Sequence, residues 1–341
     1  MLNKVAVNGF GRIGRLVLRQ LIDHEVLDVV AVNDIAPLDN LLYLLRYDSV
    51  QENPKPEIKM NDGSFTFGEK EIRFTSERDP AKLPWESLGV DIVIESTGFF
   101  TDHEGASKHI EAGAERVIIS APGKNIERTI CMGVNEEALV PHKDKIISNA
   151  SCTTNCLAPV AKVLDEHFGI QSGLLTTIHA YTSSQAIVDS PMKKWRRGRA
   201  GAVSMVPTTT GAAIATTKVL PQLKGKMDGM AIRVPIPVGS IIDFVAHTEK
   251  PVSVESVNQA FREAADSPGL KGILGVTDEE LVSADIVGST YSALVDLNST
   301  MIIGDQDVKV LAWYDNEWAY ALRCVDLAAY VADRSYPVEA F

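Results

Sequence analysis

The sequence predicts an α/β chain of two domains: a doubly wound parallel sheet, then an α+β domain whose sheet is mostly antiparallel. Three observations carry this expectation. Over the first 150 residues, short apolar runs alternate with helical periodicity, the pattern of a parallel sheet covered on both faces. A glycine-rich turn joins the first strand to the first helix. From about residue 151 a long helix is followed by longer β-rich runs with a few covering helices.

Taken in order, residues 4–8 form an apolar strand, 16–23 have helical periodicity, and 27–33 form the next strand, a βαβ opening. Residues 51–74 contain Pro54, Pro56 and Asn61-Asp62-Gly63 and read as a hairpin insertion. Further strands fall at 90–95 and 116–120, each broken afterwards by Gly or Pro. A helix runs from Ser151 to about His167 and stops at Gly169. Strands follow at 174–180, 229–235, 241–248, 289–296 and 308–314, with helices at 210–220 and 254–265, the latter capped by Ser253. Residues 316–331 read as a last helix and 335–341 as a frayed tail. The expected domains are 1–150, joined by a terminal helix at 317–341, and 151–316.

Composition narrows the function classes. Lys and Arg number 33 against 45 Asp and Glu, a net charge of −12, which repels a phosphate backbone and makes nucleic acid a poor partner. One basic run, Lys-Lys-Trp-Arg-Arg-Gly-Arg at 193–199, stands apart from that balance. Four cysteines, at 131, 152, 156 and 324, match neither a disulfide framework nor a zinc spacing, so a reducing compartment and no metal are expected. The chain opens directly into a strand, and no apolar run approaches the roughly 20 residues of a membrane span. A soluble cytoplasmic protein is expected.

Gly9-Phe10-Gly11-Arg12-Ile13-Gly14 fits G-x-G-x-x-G between a strand and a helix, and Asp34 closes the second strand twenty residues beyond Gly14. The glycines allow a pyrophosphate to sit on the helix N-terminus. Asp34 accepts hydrogen bonds from ribose hydroxyls and repels a 2′-phosphate, which favours NAD over NADP. Further along, Cys152 opens a helix among Ser148, Ser151, Thr153 and Thr154. A cysteine taken at random is a small buried hydrophobe, but this one has a polar setting and a helix N-terminus that favours an anion. The strand at 174–180 delivers His179, which alone would be an ordinary interior histidine and together with Cys152 suggests thiol-based oxidation of an aldehyde. Cys156, on the same side of that helix, reads as structural or as an oxidation liability.

Ala-Val-Asn-Gly-Phe-Gly-Arg-Ile-Gly-Arg at 6–15, Ser-Asn-Ala-Ser-Cys-Thr-Thr-Asn-Cys at 148–156, Thr-Thr-Gly-Ala-Ala at 209–213 and Trp-Tyr-Asp-Asn-Glu-Trp at 313–318 together resemble the glyceraldehyde-3-phosphate dehydrogenase family. The resemblance spans nearly the whole chain. It implies a Rossmann-type NAD domain and a catalytic domain in a homotetramer that turns glyceraldehyde 3-phosphate, NAD and phosphate into 1,3-bisphosphoglycerate. It implies that Cys152 forms a hemithioacetal and then a thioester, with His179 pairing the thiolate and acting as base. The substrate phosphate would meet Thr182 and Arg233, and the attacking phosphate Ser151, Thr153, Thr210 and Gly211. For the cofactor, Arg12 and Ile13 match pyrophosphate and nicotinamide contacts, Arg78 lies near adenine, Thr97 and Ser120 line the cleft, Asn316 holds the carboxamide and Tyr320 packs near the ring. The basic run falls in the family's long interface loop.

Departures from the family pattern sit at Gln51-Glu52-Asn53-Pro54, Ser190, Ile214, Val238-Gly239 and Ala319, none at the nucleophile, the base or the phosphate-binding hydroxyls. Ser190 stands where leucine is usual, which could loosen NADP exclusion. Three rivals remain at this point. Erythrose-4-phosphate dehydrogenase shares the scaffold but breaks the His179-Ala180-Tyr181-Thr182 pattern. A non-catalytic paralogue binding RNA or proteins would have lost a catalytic group. A semialdehyde or acyl-phosphate reductase lacks the 148–156 segment.

Overall fold

The computed structural model describes residues 2–333; the expected tail at 335–341 lies outside them. Residues 2–130, 136–150 and 321–333 form one compact unit, and 131–135 with 151–320 form the other.

The first unit is built on a nine-stranded sheet. Its elements are β1 (Asn3–Asn8), α1 (Arg12–Leu21), β2 (Leu27–Asn33), α2 (Leu38–Arg46), β3 (Ile58–Asn61), β4 (Ser64–Phe67), β5 (Lys70–Thr75), α3 (Trp85–Leu88), β6 (Ile92–Glu95), α4 (His103–Glu111), β7 (Arg116–Ile119), β8 (Arg128–Thr129) and β9 (Ile146–Ser148). The order is β3-β4-β5-β2-β1-β6-β7-β9-β8. All neighbours from β5 to β8 run parallel, and only β3, β4 and β5 pair antiparallel. Fully buried Val5, Val7, Val32, Ile94 and Ile118 explain why these short strands read as unbroken apolar runs.

Two local expectations shift. The predicted hairpin at 51–74 is a three-stranded meander whose last strand, β5, pairs in parallel with β2 and extends the main sheet. Buried Phe65, Phe67 and Ile72 hold it there. Helix α1 begins at Arg12, ahead of the periodicity that starts at Leu16. Its first turn holds Arg12 and Ile13, which are only half-buried, so the apolar stripe starts one turn later than the helix.

The second unit carries α5 (Cys152–Phe168), β10 (Ile170–Ala180), β11 (Val206–Thr209), α6 (Ala212–Val219), β12 (Met227–Val234), β13 (Ser240–Thr248), α7 (Val254–Asp266), β14 (Leu274–Thr277), β15 (Ala293–Ile303) and β16 (Asp307–Tyr314). Its sheet runs β11-β12-β10-β13-β16-β15-β14. Four of the six pairings are antiparallel, and β10–β12 and β14–β15 are parallel, so the sheet is mixed with an antiparallel majority. Ser253 caps α7 in a reciprocal capping box with Ser256.

Strand β15 starts later and runs further than 289–296, because Asn298, Ser299 and Thr300, in an irregularity between Asp296 and Met301, hide its second half from a hydropathy reading, and pairing with β16 resumes at Met301. Helix α8 (Trp318–Asp333) ends the described chain and buries Cys324, Leu327 and Ala328. Among the described residues no helix is long and apolar enough to cross a membrane.

Candidate active site

In the first unit, the β1–α1 turn is shaped by its glycines. Gly9 has φ +92°, and a Cβ there would lie 2.6 Å from the Thr97 nitrogen. A Cβ on Gly14 would fall 2.0 Å from the Gly9 carbonyl oxygen. Among the described residues nothing lies within 4 Å of a Cβ on Gly11, the N-cap of α1, and no side chain caps that end. The open first turn is what an anionic pyrophosphate requires. A cavity of about 450 Å³ begins here and is lined by Asn8, Gly9, Gly11, Asp34, Arg78 and Thr97 among others.

Asp34 is fixed at the rim, its carboxylate accepting from the Phe10 nitrogen at 2.7 Å and the Ala36 nitrogen at 2.9 Å. Two N–H donors leave lone pairs for further donors such as ribose hydroxyls. Arg12 turns to Asp48 at 2.7 Å. Burial opposes the Asp48 charge, yet the Arg12 guanidinium and the Gln51 and Val50 N–H groups hold its carboxyl below the usual range. Ile13 follows on the same first turn, half-buried. Ser120, just past β7, meets Ser96 at 3.3 Å, and Ser96 lines the cavity. The other two predicted cofactor residues belong to the second unit. There Asn316 accepts a hydrogen bond from Ser240 Oγ at 2.8 Å, which fixes its amide, and Tyr320 is buried.

The second unit holds the predicted nucleophile, Cys152. Ser151 caps α5, its Oγ accepting from the Thr154 nitrogen at 3.1 Å, so Cys152 is the first helical residue. Its Sγ lies 3.4 Å from His179 Nε2. His179 stands near the end of β10, and the parallel register with β12 sets Arg233 directly beside it. Nδ1 lies 2.7 Å from the Ala180 carbonyl oxygen, which can only accept. The tautomer that bonds this oxygen carries its proton on Nδ1 and leaves Nε2 to take one from the thiol, with the donor-only Arg233 guanidinium then bonding the oxygen rather than Nδ1. The Arg233 guanidinium is 2.8 Å from both Nδ1 and that oxygen.

Burial and the Arg233 charge push His179 down to about 3. Burial pushes the Cys152 thiol up, against the pull of Arg233 and the Thr153 N–H. Both groups therefore favour their neutral forms here, whereas the family resemblance implies a thiolate–imidazolium pair. The Tyr314 hydroxyl, raised by burial and by the two nearby thiols, bridges Thr153 and Thr177 at 2.9 Å each beneath the pair.

Of the predicted phosphate residues, Arg233 keeps a buried Nε with no hydrogen-bond partner among the described residues. Thr182 meets Ser184 at 2.7 Å. Thr210 and Gly211 open α6, the Thr210 hydroxyl accepting from the Ala212 nitrogen at 3.1 Å. Thr153 differs: its hydroxyl turns inward to Tyr314 and only its backbone remains for an anion. Ser148, counted among the hydroxyls around Cys152, instead donates to the Ala121 oxygen at 2.6 Å within the first unit.

Residues 3–103 match the family model "Glyceraldehyde 3-phosphate dehydrogenase, NAD binding domain", and residues 151–316 match "Glyceraldehyde 3-phosphate dehydrogenase, C-terminal domain". The glyceraldehyde-3-phosphate dehydrogenase of Geobacillus stearothermophilus is 54% identical over 331 residues, 97% of this chain and 98% of its own length. That of Streptomyces coelicolor is 51% identical over 332 residues, covering 97% and 99%. Glyceraldehyde-3-phosphate dehydrogenase 1 of Bacillus subtilis is 51% identical over 331 residues, covering 97% and 98%.

The chain belongs to the glyceraldehyde-3-phosphate dehydrogenase family.

Membership in the glyceraldehyde-3-phosphate dehydrogenases makes NAD the cofactor, and the glycine turn, the open α1 terminus and the Asp34 rim fit it. Two residues beside the site went unnoticed in the sequence. Arg197, inside the basic run, donates to Thr208 Oγ1 at 3.0 Å and to Ser184 Oγ at 3.3 Å, and its charge also lowers His179. Tyr314 stood in a quoted motif, yet only the fold shows its hydroxyl spanning α5 and β10. A basic run in an acidic chain was the signal for the first, and nothing local signalled the second.

Proposed function

We propose that this chain oxidises D-glyceraldehyde 3-phosphate with NAD and inorganic phosphate to 1,3-bisphosphoglycerate. The observation that carries the reading is the Cys152 sulfur at the start of α5, 3.4 Å from a His179 whose other ring nitrogen is fixed by Ala180. Nε2 takes the thiol proton as Sγ bonds to the aldehyde carbon, and returns it to the new oxygen to give a hemithioacetal. The Cys152 backbone N–H, in the first turn of α5, supports the developing oxyanion. NAD, when bound, supplies the hydride acceptor. Nε2 takes the hydroxyl proton again as the C–H hydride leaves, and a thioester on Sγ remains. A phosphate oxygen then attacks that carbon and the sulfur departs.

The anionic ends of the substrates meet Arg233, Arg197 and the open α6 terminus with Thr210 and Gly211. An anion on Arg233 also cancels the field that holds His179 down, which favours the proton transfer from Sγ. Gly9, Gly11, Arg12, Ile13, Gly14, Asp34, Arg78, Thr97, Ser120, Asn316 and Tyr320 are assigned to the cofactor, Ser151, Thr153 and Thr182 to the phosphates.

A cytoplasmic homotetramer completes the reading. Exposed Ile187, Val188, Trp195, Val203 and Met205 on the loop after β10 support self-association through that loop. Absorbance of NADH on mixing protein, aldehyde and NAD tests the activity. Sustained turnover only with inorganic phosphate is expected; turnover without it, or faster turnover of erythrose 4-phosphate, would overturn the assignment. Sedimentation of a single four-chain species is the matching test of assembly.

A further inference from the structure

Under the dinucleotide cavity lies a buried chain of side chains that neither the chemistry nor the assigned cofactor contacts use. Trp85 and His109 have no exposed surface, Glu95 and Asn8 are 1% exposed and Asn33 is 4% exposed. The Trp85 indole nitrogen is 2.9 Å from His109 Nδ1. An indole N–H can only donate, so Nδ1 accepts and Nε2 carries the ring proton. Nε2 lies 3.1 Å from Glu95 Oε2 and donates to it.

Glu95 ends β6 and gathers three of the cavity's walls. Its Oε2 also accepts from Asn8 Nδ2 at 2.5 Å, and its Oε1 accepts from the Thr97 nitrogen at 2.7 Å and from the Thr97 hydroxyl. Asn8 Oδ1 in turn accepts from Asn33 Nδ2 at 2.7 Å. Asn33 then pins the backbone of Glu77, neighbour of Arg78, through its Nδ2 to the Glu77 oxygen and the Glu77 nitrogen to its Oδ1, each at 2.9 Å. Asn8, Asn33, Glu77, Arg78 and Thr97 all line the cavity. Phe100, also on its wall, sets its ring edge-on to His109 at a centroid distance of 6.4 Å.

The turns after β1, β5 and β6 are loop backbone, and this carboxylate ties them together. Since a Cβ at Gly9 would meet the Thr97 nitrogen at 2.6 Å, those two backbones touch, and any turn of the 96–98 loop displaces the pyrophosphate turn. We propose that His109 is a positioning residue for the dinucleotide: through Glu95 it holds the Asn8 and Thr97 walls in the geometry that binds NAD. The inference rests on the NAD-dependent reading above.

The test measures NAD affinity by calorimetry, the KM of each substrate, kcat and thermal unfolding for the whole enzyme and three variants. His109→Leu keeps the bulk and removes the donor. It is expected to weaken NAD about tenfold, the fold-change one lost charge-assisted hydrogen bond carries, while kcat and the aldehyde KM change by less than about threefold. His109→Gln can place an amide N–H on Glu95 and is expected to recover most of that affinity. Trp85→Phe releases the tautomer without touching the carboxylate and is expected to give a smaller loss in the same direction. Unchanged NAD affinity in a folded His109→Leu protein overturns the proposal. So does an equal loss of every parameter that His109→Gln leaves uncorrected, which is the mark of general destabilisation. Should His109→Leu fail to fold, unchanged NAD affinity in Trp85→Phe overturns it instead. If the unaltered enzyme itself does not bind NAD, the cofactor reading falls, and the proposal with it.

Discussion

Cys152 and Arg233 address His179 from opposite ring nitrogens: the sulfur lies 3.4 Å from Nε2, and the guanidinium lies 2.8 Å from Nδ1. One imidazole is thereby placed to serve both as the proposed proton acceptor for the Cys152 thiol and as the neighbour of the charge that would grip a phosphate. In the proposed reaction this links substrate charge to thiol ionisation, since burial first and then the same arginine that would attract the anion hold the imidazole neutral.

His179→Asn removes the base that stands 3.4 Å from the sulfur. Turnover is expected to fall by about 10²–10⁴, the usual size of a general-base contribution. The rate of Cys152 alkylation against pH should move to higher pH, because burial already raises this thiol and no acceptor is left to share its proton. Cys152→Ser should abolish turnover and still bind NAD, whose assigned pocket residues do not include it. Alkylation that keeps its profile in His179→Asn would detach the histidine from the thiol.

The buried imidazole also sets an acid limit on stability. His179 titrates at about 3 in the folded chain against 6.5 when free, so between those values only the unfolded chain takes up the proton. Stability from this group is complete above pH 6.5 and is lost as pH falls toward 3, with a slope of up to about 1.4 kcal/mol per pH unit. Urea midpoints at pH 7 and pH 5 check the sign. The His179→Asn variant, with nothing to titrate there, should lose less between the two pH values than the unaltered protein.

The parts of the molecule that were legible in the sequence share a physical reason. Strands β1, β2, β6 and β7 are buried on both faces and had to be apolar, and α5 carries its signals in Ser151 and Gly169 at its two ends. The glycine turn announces itself because its backbone contacts forbid side chains. The meander β3–β5 reads as a hairpin because what joins β5 to the main sheet is its parallel ladder with β2, which hydropathy does not register, and the second half of β15 is hidden because Asn298, Ser299 and Thr300 interrupt its apolar pattern. At the site, motif and position brought Cys152, His179 and Asp34 forward as candidates. The inward turn of Thr153 and the place of Arg197 depend on partners distant in sequence, Tyr314 and the Thr208 strand.

Tyr314→Phe tests one of those long-range contacts. The hydroxyl joins Thr153 on α5 to Thr177 on β10, and all three groups are buried. Its removal leaves two threonine hydroxyls to find new partners, a loss of about 1–2 kcal/mol. Since Thr153 follows Cys152 directly, a severalfold fall in kcat should accompany it. An unchanged urea midpoint would show that the threonines satisfy each other without the phenol.

The two glycines Gly11 and Gly14 separate packing from ligand binding. An added Cβ at Gly14 would sit 2.0 Å from the Gly9 oxygen, so Gly14→Ala must move the turn itself. It should destabilise the fold by about 1–3 kcal/mol and weaken NAD with it, as overpacking does. A Cβ at Gly11 meets nothing within 4 Å, and φ −71° suits any residue, so Gly11→Ala should cost only a few tenths of a kcal/mol as a lost N-cap glycine. The added methyl nonetheless enters the mouth of the cavity, where the α1 terminus is proposed to receive the pyrophosphate. The expected result is a variant with an unchanged melting temperature and a raised KM for NAD. A Gly11→Ala enzyme with ordinary NAD kinetics would place the dinucleotide away from this turn.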